Sequence, residues 1–552
     1  MPTVRDAVFE VLRRNGLTTL FANPGSTEIA FLAGLPDDFR FVLALHEASV
    51  VGMATGFALA RGRPALVNLH TTAGLGNAVG ALATARVNRC PLVVVVGQQD
   101  RRHLLLEPFL TGRLRGLAGD YPVWTCEPAR PQDVPSAIAR AVHEAATARG
   151  PALVVVPSGD WSAELPEDTE VAAPAFVHRP AGAEHAVPPA LAAMLRDAAA
   201  PALVAGAGAS DPECWRALVA LAERLGAPVW QESFGARAGF PQDHPLFAGH
   251  LPANRGRLRA ALGAYDVVVV VGAPVFRQYP YEEGPLIPAG TRAALITDDP
   301  DEAHRGPVEI AVLAQPAAAV RELTALLPDR PAGEVVRPAP PPAVPAPAAG
   351  APLRPPWVLA ELGRRLPADV VLVEETPSSR PDLHALIPAR TPLGFVSAAM
   401  GGLGFGLPAA LGLRLGDPGR PVVAVLGDGS SMYSIQALWS AAHYRIGALL
   451  IVLANGRYAI MDRLAERAGG KPAWPAFTEL SISGMAAAMG CPQRRVATAA
   501  ELTAALDEVM PGLRERREPL LLEVVVEADP AFDPITQQAT LRKPSRDSED
   551  PA

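Results

Sequence analysis

The sequence predicts an α/β protein made of three doubly wound domains, each with a parallel sheet. Three observations carry that reading. Short Val/Leu-rich runs alternate with Ala-rich stretches of helical length along all 552 residues. The runs are continuously apolar, as in parallel strands buried on both faces, and do not alternate with polar residues. Two polar, Pro-spotted stretches, near 164–185 and over 331–356, leave folded blocks at 1–165, 185–330 and 357–528. At roughly 150 residues per domain the length allows three or four domains.

Composition narrows the function. The apolar fraction of 49% is ordinary for a globular chain with sizeable cores. A net charge of −8 without long charge runs gives no nucleic-acid footprint. Cys90, Cys126, Cys214 and Cys491 lie far apart with no CxxC, so neither a disulfide framework nor a zinc site is indicated. The opening MPTVRDAVFEVLRRNG reads as an amphipathic helix with charges throughout, unlike a signal peptide. No run approaches the ~18 apolar residues of a membrane span. A cytoplasmic protein without a membrane or nucleic-acid partner is expected.

In the first block the strand candidates are TTLFANPG, RFVLALH, PALVNLH, PLVVVVGQQ and PALVVVP. The second offers PALVAGAG, APVWQES, DVVVVVGAP and RAALITDD, and the third DVVLVEET, PVVAVLGDG, ALLIVLANG and PLLLEVVVE. The 331–356 stretch reads as an extended linker and 529–552 as a loose tail. Doubly wound sheets bind ligands beyond the carboxyl ends of their strands, so the residues just after each run are the candidates for chemistry.

Three such ends in the first block are polar. Ser26 follows NPG and suits the N-cap of a helix beginning at Thr27. Glu47 opens an Ala/Gly-rich helix. There it either stabilises the N-terminus, by under about 1 kcal/mol, or stands beside a basic heterocycle. His70, before TTAGLGN, is either a structural histidine or a proton-transfer group. In the second block Gly206-Ala207-Gly208-Ala209-Ser210 lacks a third glycine and a ribose-binding acid, and reads as a tight turn.

The third block holds the strongest local signal. PVVAVLGDG, a helical stretch (SMYSIQALWSAAHYRIG) and ALLIVLANGRY form a βαβ unit, which puts Asp428 and Asn455 on one sheet edge. A carboxylate and an amide oxygen there suit Mg²⁺, which takes further oxygens from phosphates and water. Gly427 and Gly429 let backbone approach a diphosphate, and a helix N-terminus after Ser430 favours negative charge.

GDG followed at this distance by Asn is the pattern of thiamine-diphosphate enzymes. NPGS, HE before a small-residue helix, NLH-TTAG-GN, GQQ, GAPVFR, GGLGFGLPAA and GDGS…NG occur in that order over almost the whole chain. Together they resemble the benzoylformate decarboxylases. The resemblance implies an N-terminal pyrimidine-binding domain, a central domain without catalytic groups, and a C-terminal diphosphate-binding domain. It implies thiamine diphosphate and Mg²⁺ as cofactors, a 2-oxo acid substrate, and a homodimer or homotetramer with each cofactor held between subunits. Glu47 would pair with the aminopyrimidine and promote ionisation of the thiazolium C2. The cofactor then serves as electron sink for loss of CO₂, and protonation releases an aldehyde. Ser26 would hold the substrate and His70 relay protons. Asp428, Asn455 and the Arg457 carbonyl would bind Mg²⁺. Leu403 would bend the cofactor, and Ser378, Gly401, Gly427, Ser430, Tyr433 and Tyr458 would contact it. Leu110, Ile460 and Leu464 would complete the substrate pocket.

Four positions depart from the family pattern. Tyr279 stands where a second active-site histidine is expected, and with a pKa near 10 it is a poorer proton shuttle. Ile460 and Leu464 replace the small residue and phenylalanine of phenyl-binding members. Pro377 replaces a hydroxyl residue, with Ser378 and Ser379 adjacent. The same scaffold also suits a carboligase, an acetolactate-synthase-like enzyme with flavin, or a non-catalytic cofactor-binding subunit.

Overall fold

Each block folds around one six-stranded sheet in which every pairing of named strands is parallel. The computed structural model describes residues 1–166, 186–329, 343–348, 350–529 and 532–533. The first sheet comprises β1 (Thr19–Ala22), β2 (Arg40–Leu43), β3 (Ala65–Leu69), β4 (Leu92–Gln98), β5 (Trp124–Cys126) and β6 (Pro151–Pro157), in the order β2-β1-β3-β4-β6-β5. The second comprises β7 (Pro201–Ala205), β8 (Val229–Gln231), β9 (Phe247–His250), β10 (Val267–Val271), β11 (Arg292–Thr297) and β12 (Ile310–Leu313), ordered β12-β11-β10-β7-β8-β9. The third comprises β13 (Val371–Glu375), β14 (Phe395–Ser397), β15 (Val422–Gly427), β16 (Leu449–Ala454), β17 (Gln493–Val496) and β18 (Leu520–Val525), ordered β14-β13-β15-β16-β18-β17. The central sheet thus has the 3-2-1-4-5-6 order of dinucleotide folds. The first and third sheets share a different order with each other.

The central strands are buried along their length, β3, β4 and β10 without exception, as the apolar runs require. The five strands that the apolar runs do not reveal, β5, β9, β12, β14 and β17, are all sheet edges of three or four residues. The crossover helix between β15 and β16 is shorter than expected. It consists of one turn at Asp428–Ser431 and a separate helix, Ala437–His443.

The outer domains are joined by the helices Glu47–Arg61 and Gly406–Gly416, which cross with glycines facing the partner backbone. A Cβ on Gly56 would overlap the Ala409 carbonyl oxygen, and one on Gly412 would overlap that of Met53. Gly52 abuts Pro408, and Gly416 abuts Ala60. Buried Asn88 joins all three domains. Its side chain donates to Ser397 O and accepts from Ala399 N, while its carbonyl accepts from the buried Arg237 guanidinium. Arg237 also takes Ser210 Oγ and Ala207 O. The 206–210 segment is indeed a tight turn: a Cβ on Gly208 would lie 2.8 Å from Gly272 Cα, so backbone already fills that space.

Two boundaries shift. The stretch assigned to the linker ends earlier, because Pro355–Gly363 is a helix with proline in its first turn. The tail begins packed: Phe532 is buried and Asp533 pairs with Arg467 at 2.5 Å. Most of the linker and the rest of the tail lie outside the described residues. Among the described residues no helix is long and apolar enough to cross a membrane.

Candidate active site

Glu47 is the first residue of its helix. His46 supplies the N-cap, its Nδ1 accepting from Ala48 N at 3.1 Å. The Glu47 carboxylate is only 7% exposed. Asn23 Nδ2 donates to Oε1 and Asn77 Nδ2 to Oε2, each at 3.0 Å. Two amides, one just after β1 and one from the helix Thr71–Val87, therefore fix both oxygens of a carboxylate that no cation neutralises in these contacts. A carboxylate that merely decorates a helix start does not need such support.

His70 follows β3 and packs over Gly25, where a Cβ would penetrate the imidazole ring. Its Nδ1 lies 3.1 Å from Glu28 Oε2 and 3.0 Å from Thr27 Oγ1. Ser26 is exposed and makes no cap bond. Gly25 is the N-cap residue of the short 3₁₀ turn Ser26–Glu28, and its N–H donates to Glu28 Oε2 at 2.8 Å. The N-cap position expected of Ser26 is thus held by Gly25, which leaves the serine hydroxyl at the surface beside His70's turn. Leu110 belongs to a loop clamped by the GQQ motif. Gln98 bonds both the carbonyl and the N–H of Gly112, and Gln99 Nε2 donates to Phe109 O. Tyr279 is 48% exposed in the central domain.

In the third domain, β15 and β16 pair so that Gly427 lies opposite Leu453, which places Asp428 and Asn455 on one edge. Asp428 is buried, and its carboxylate accepts from Gly429 N, Asn455 N and Gly456 N at 2.7, 2.8 and 2.6 Å. Burial raises its pKa, against the pull of those amides. Among the described residues Asn455 Oδ1 accepts only from Arg457 N, at 3.1 Å. These hard oxygens without a cationic side chain between them fit a divalent cation. Gly429 serves Tyr458 more than a diphosphate, for its Cβ would collide with the Tyr458 ring, which packs edge-on to Phe477. Leu403 sits in a loop whose next three N–H groups, from Gly404, Phe405 and Gly406, all donate to buried Glu375. Gly404, the residue after Leu403, backs onto Tyr433, where a Cβ would lie 2.9 Å from the Tyr433 Cβ. Gly401, at φ 71°, would have no neighbour around a Cβ.

A cavity of about 180 Å³ opens beside this edge, lined by Ser378, Asn455, Arg457 and, from the helix Ala459–Arg467, Asp462, Arg463 and Glu466. Ile460 and Leu464 belong to a different face of that helix and do not line it. No residue of the first domain lines it either. Glu47, His70 and Ser26 form one constellation, and Asp428, Asn455, Arg457 and Ser378 another.

Comparison with known proteins agrees with both halves. Residues 2–114 match the thiamine pyrophosphate enzyme N-terminal TPP binding domain, 189–323 its central domain and 378–524 its C-terminal TPP binding domain. The chain is 39% identical over 538 residues to benzoylformate decarboxylase of Pseudomonas aeruginosa, covering 95% of this chain and 99% of that one. The chain belongs to the thiamine-diphosphate-dependent decarboxylases. A 4-hydroxybenzoylformate decarboxylase from Rhodococcus jostii superposes on this enzyme with a TM-score of 0.91 at 36% identity, covering 96% of this chain and all of that one. A benzoylformate decarboxylase from Polynucleobacter necessarius gives 0.91 at 35%, over 97% and 100%. A putative acetolactate synthase large subunit of Mycobacterium tuberculosis is 31% identical over 94% of the enzyme and 98% of its own length. The enzyme is therefore a carboxy-lyase that uses thiamine diphosphate.

Sequence reasoning missed Asn23, Asn77, Thr27 and Glu28. The two asparagines lie inside quoted motifs, but nothing in their spacing points them at Glu47. Glu28 gave no signal, since one acid in a helical turn is indistinguishable from a solvated one.

Proposed function

We propose that the enzyme decarboxylates a 2-oxo acid of the benzoylformate type to an aldehyde and CO₂, with Mg²⁺ anchoring the cofactor. The observation that carries the proposal is the buried Glu47 carboxylate, held on both oxygens by Asn23 and Asn77. Such a fixed, desolvated base can hold a proton at a basic ring nitrogen and keep it there through turnover. Asp428, Asn455 and the Arg457 carbonyl would hold the metal, with Ser378, Gly401, Gly427, Ser430, Tyr433 and Tyr458 around the diphosphate end. When bound, the cofactor supplies an electron sink for the carboxylate carbon's bonding pair. Ser26 would hold the substrate, and His70 would deliver a proton to the carbon that has lost CO₂. Leu403 would shape the cofactor, and Leu110, Ile460 and Leu464 would border the acyl group.

The first and third domains each offer half of this site, and the cavity is closed by third-domain residues alone. Leu105, Leu106 and Phe109 stand exposed on the Gln98-clamped loop, and Met400, Leu403 and Tyr433 around the other half. Exposed apolar groups of this kind mark contact surfaces. A second copy of the chain would cover both sets and bring Glu47 to the partner's diphosphate site. The four cysteines are free thiols, which suits a reducing cytoplasm.

Incubation with thiamine diphosphate, Mg²⁺ and a panel of aromatic and aliphatic 2-oxo acids tests the reading. CO₂ with free aldehyde from an aryl substrate is expected. CO₂ only in the presence of an acceptor aldehyde would replace it with a carboligase, the reading favoured by Tyr279 in the second histidine's place.

A further inference from the structure

Glu28 is 1% exposed and is used by nothing in the chemistry above. A buried carboxylate is costly unless paired, and the partners here are specific. Gly25 N donates to Oε2, and Thr27 Oγ1 donates to Oε1. Among the described residues the one cationic or protonatable group in contact is His70, whose Nδ1 lies 3.1 Å from Oε2 and 3.4 Å from Oε1. Thr27 Oγ1 approaches the same nitrogen at 3.0 Å. Glu47 is the next carboxylate: a Cβ on Gly74 would lie 3.4 Å from His70 Cβ and 3.6 Å from Glu47 Cγ.

The surroundings are shaped around this arrangement. Gly97, in GQQ, has no room for a side chain, because a Cβ would overlap both Glu28 Oε1 and Thr27 Oγ1. Gly25 is bare beneath the His70 ring. Thr71, directly after His70, sits at φ 29°, where β-branched residues are strained. Two glycines and one strained threonine thus serve to bring a carboxylate against one nitrogen of one imidazole.

We propose that Glu28 is a positioning residue that holds His70 as the Nδ1–H tautomer and leaves Nε2 as the nitrogen that exchanges the proton with substrate. The catalytic consequence rests on the decarboxylase reading given above, whereas the tautomer does not. An ionised carboxylate only accepts, so it selects the ring form with hydrogen on the facing nitrogen. The logic is that of a base oriented by a third group.

Glu28→Gln keeps the shape and removes the second acceptor oxygen. The substitution also removes the negative charge that holds a hydrogen on the facing ring nitrogen, so the preference for Nδ1–H weakens. Nitrogen NMR of ¹⁵N-histidine-labelled full-length protein, with the His70 signal assigned by loss in His70→Gln, reads this directly and needs no turnover. The wild type should show Nδ1–H, and Glu28→Gln should show less of it. With an active 2-oxo acid, kcat should fall about 100-fold, KM should stay within about threefold, and cofactor binding should be unchanged. Should Glu28→Gln not fold, Glu28→Asp, which draws the carboxylate back by one methylene, carries the same kcat-against-KM test. An Nε2–H tautomer in the wild type, or wild-type kcat in a folded Glu28 variant, overturns the proposal. A wild type with Nδ1–H that releases no CO₂ from any 2-oxo acid would instead overturn the decarboxylase reading.

Discussion

Gly56→Ala should loosen the joint between the first and third domains. The new methyl would lie 2.9 Å from Leu413 N, about 0.5 Å inside ordinary contact, and would overlap the Ala409 carbonyl oxygen outright. Both obstacles are backbone of a buried helix, so no side chain can swing aside. The helices must separate by roughly 1 Å or more, and a close-packed interior resists that. Overpacking of this kind costs about 1–3 kcal/mol, while alanine returns about 1 kcal/mol of helix propensity. The expected net loss is up to about 2 kcal/mol, towards the upper end because both obstacles are backbone, and Gly412→Ala, facing the Met53 carbonyl, should match it. Because the two glycines share one crossing, the double variant should lose less than the two losses added. Urea unfolding followed by intrinsic fluorescence measures all three. A Gly56→Ala protein at least as stable as wild type would refute the reasoning, for it would mean that the crossing has slack.

Asp428→Ala should abolish stabilisation by thiamine diphosphate and Mg²⁺. At a hundred times Kd that stabilisation amounts to about 2.7 kcal/mol in the wild type, and calorimetry of the variant should show no cofactor-dependent shift. Glu47→Gln should retain cofactor binding while CO₂ release falls about 10²- to 10⁴-fold in a coupled assay. His384 stacks on His250 across the interface of the central and third domains, with ring centroids 3.8 Å apart, and burial, aided by the charge of Arg380, pushes its pKa down to about 3. The unfolded chain binds a proton near pH 6.5 and the folded chain does not. Stability held above that pH is therefore lost as pH falls towards 3, by up to about 1.4 kcal/mol per unit. Denaturant titrations at pH 7 and pH 5 should show a smaller loss for His384→Gln than for the wild type.

The sequence was most legible where burial is complete. β3, β4, β10, β15 and β16 are apolar because helices cover both faces, and that is also why their ends could be named as ligand-bearing. Edge strands such as β12 and β17 alternate between buried and exposed positions over four residues, so neither pattern has room to declare itself. Asp428 and Asn455 were legible because one crossover fixes them on neighbouring strand ends. The role of Glu28 was not, because it depends on a ring brought from 42 residues away and on the emptiness at Gly97. Ser26 looked like a cap because its type and place suited one. Only the geometry shows Gly25 at the N-cap position and the serine hydroxyl left exposed.

The matching strand order of the first and third sheets sets up a correspondence between the two half-sites. Asn23 to Ser26 and Thr376 to Ser378 follow the equivalent strands β1 and β13. Glu47 and the Leu403 loop follow β2 and β14, and His70 and Asp428 come directly after β3 and β15. One plan has been used twice: under the proposed function, one copy's three strand ends would handle protons and the other's phosphate and metal. The frame is therefore indifferent to its cargo. Altering the reactivity of this enzyme calls for new side chains on the ends of β1 to β3, with the anchoring copy left as it stands.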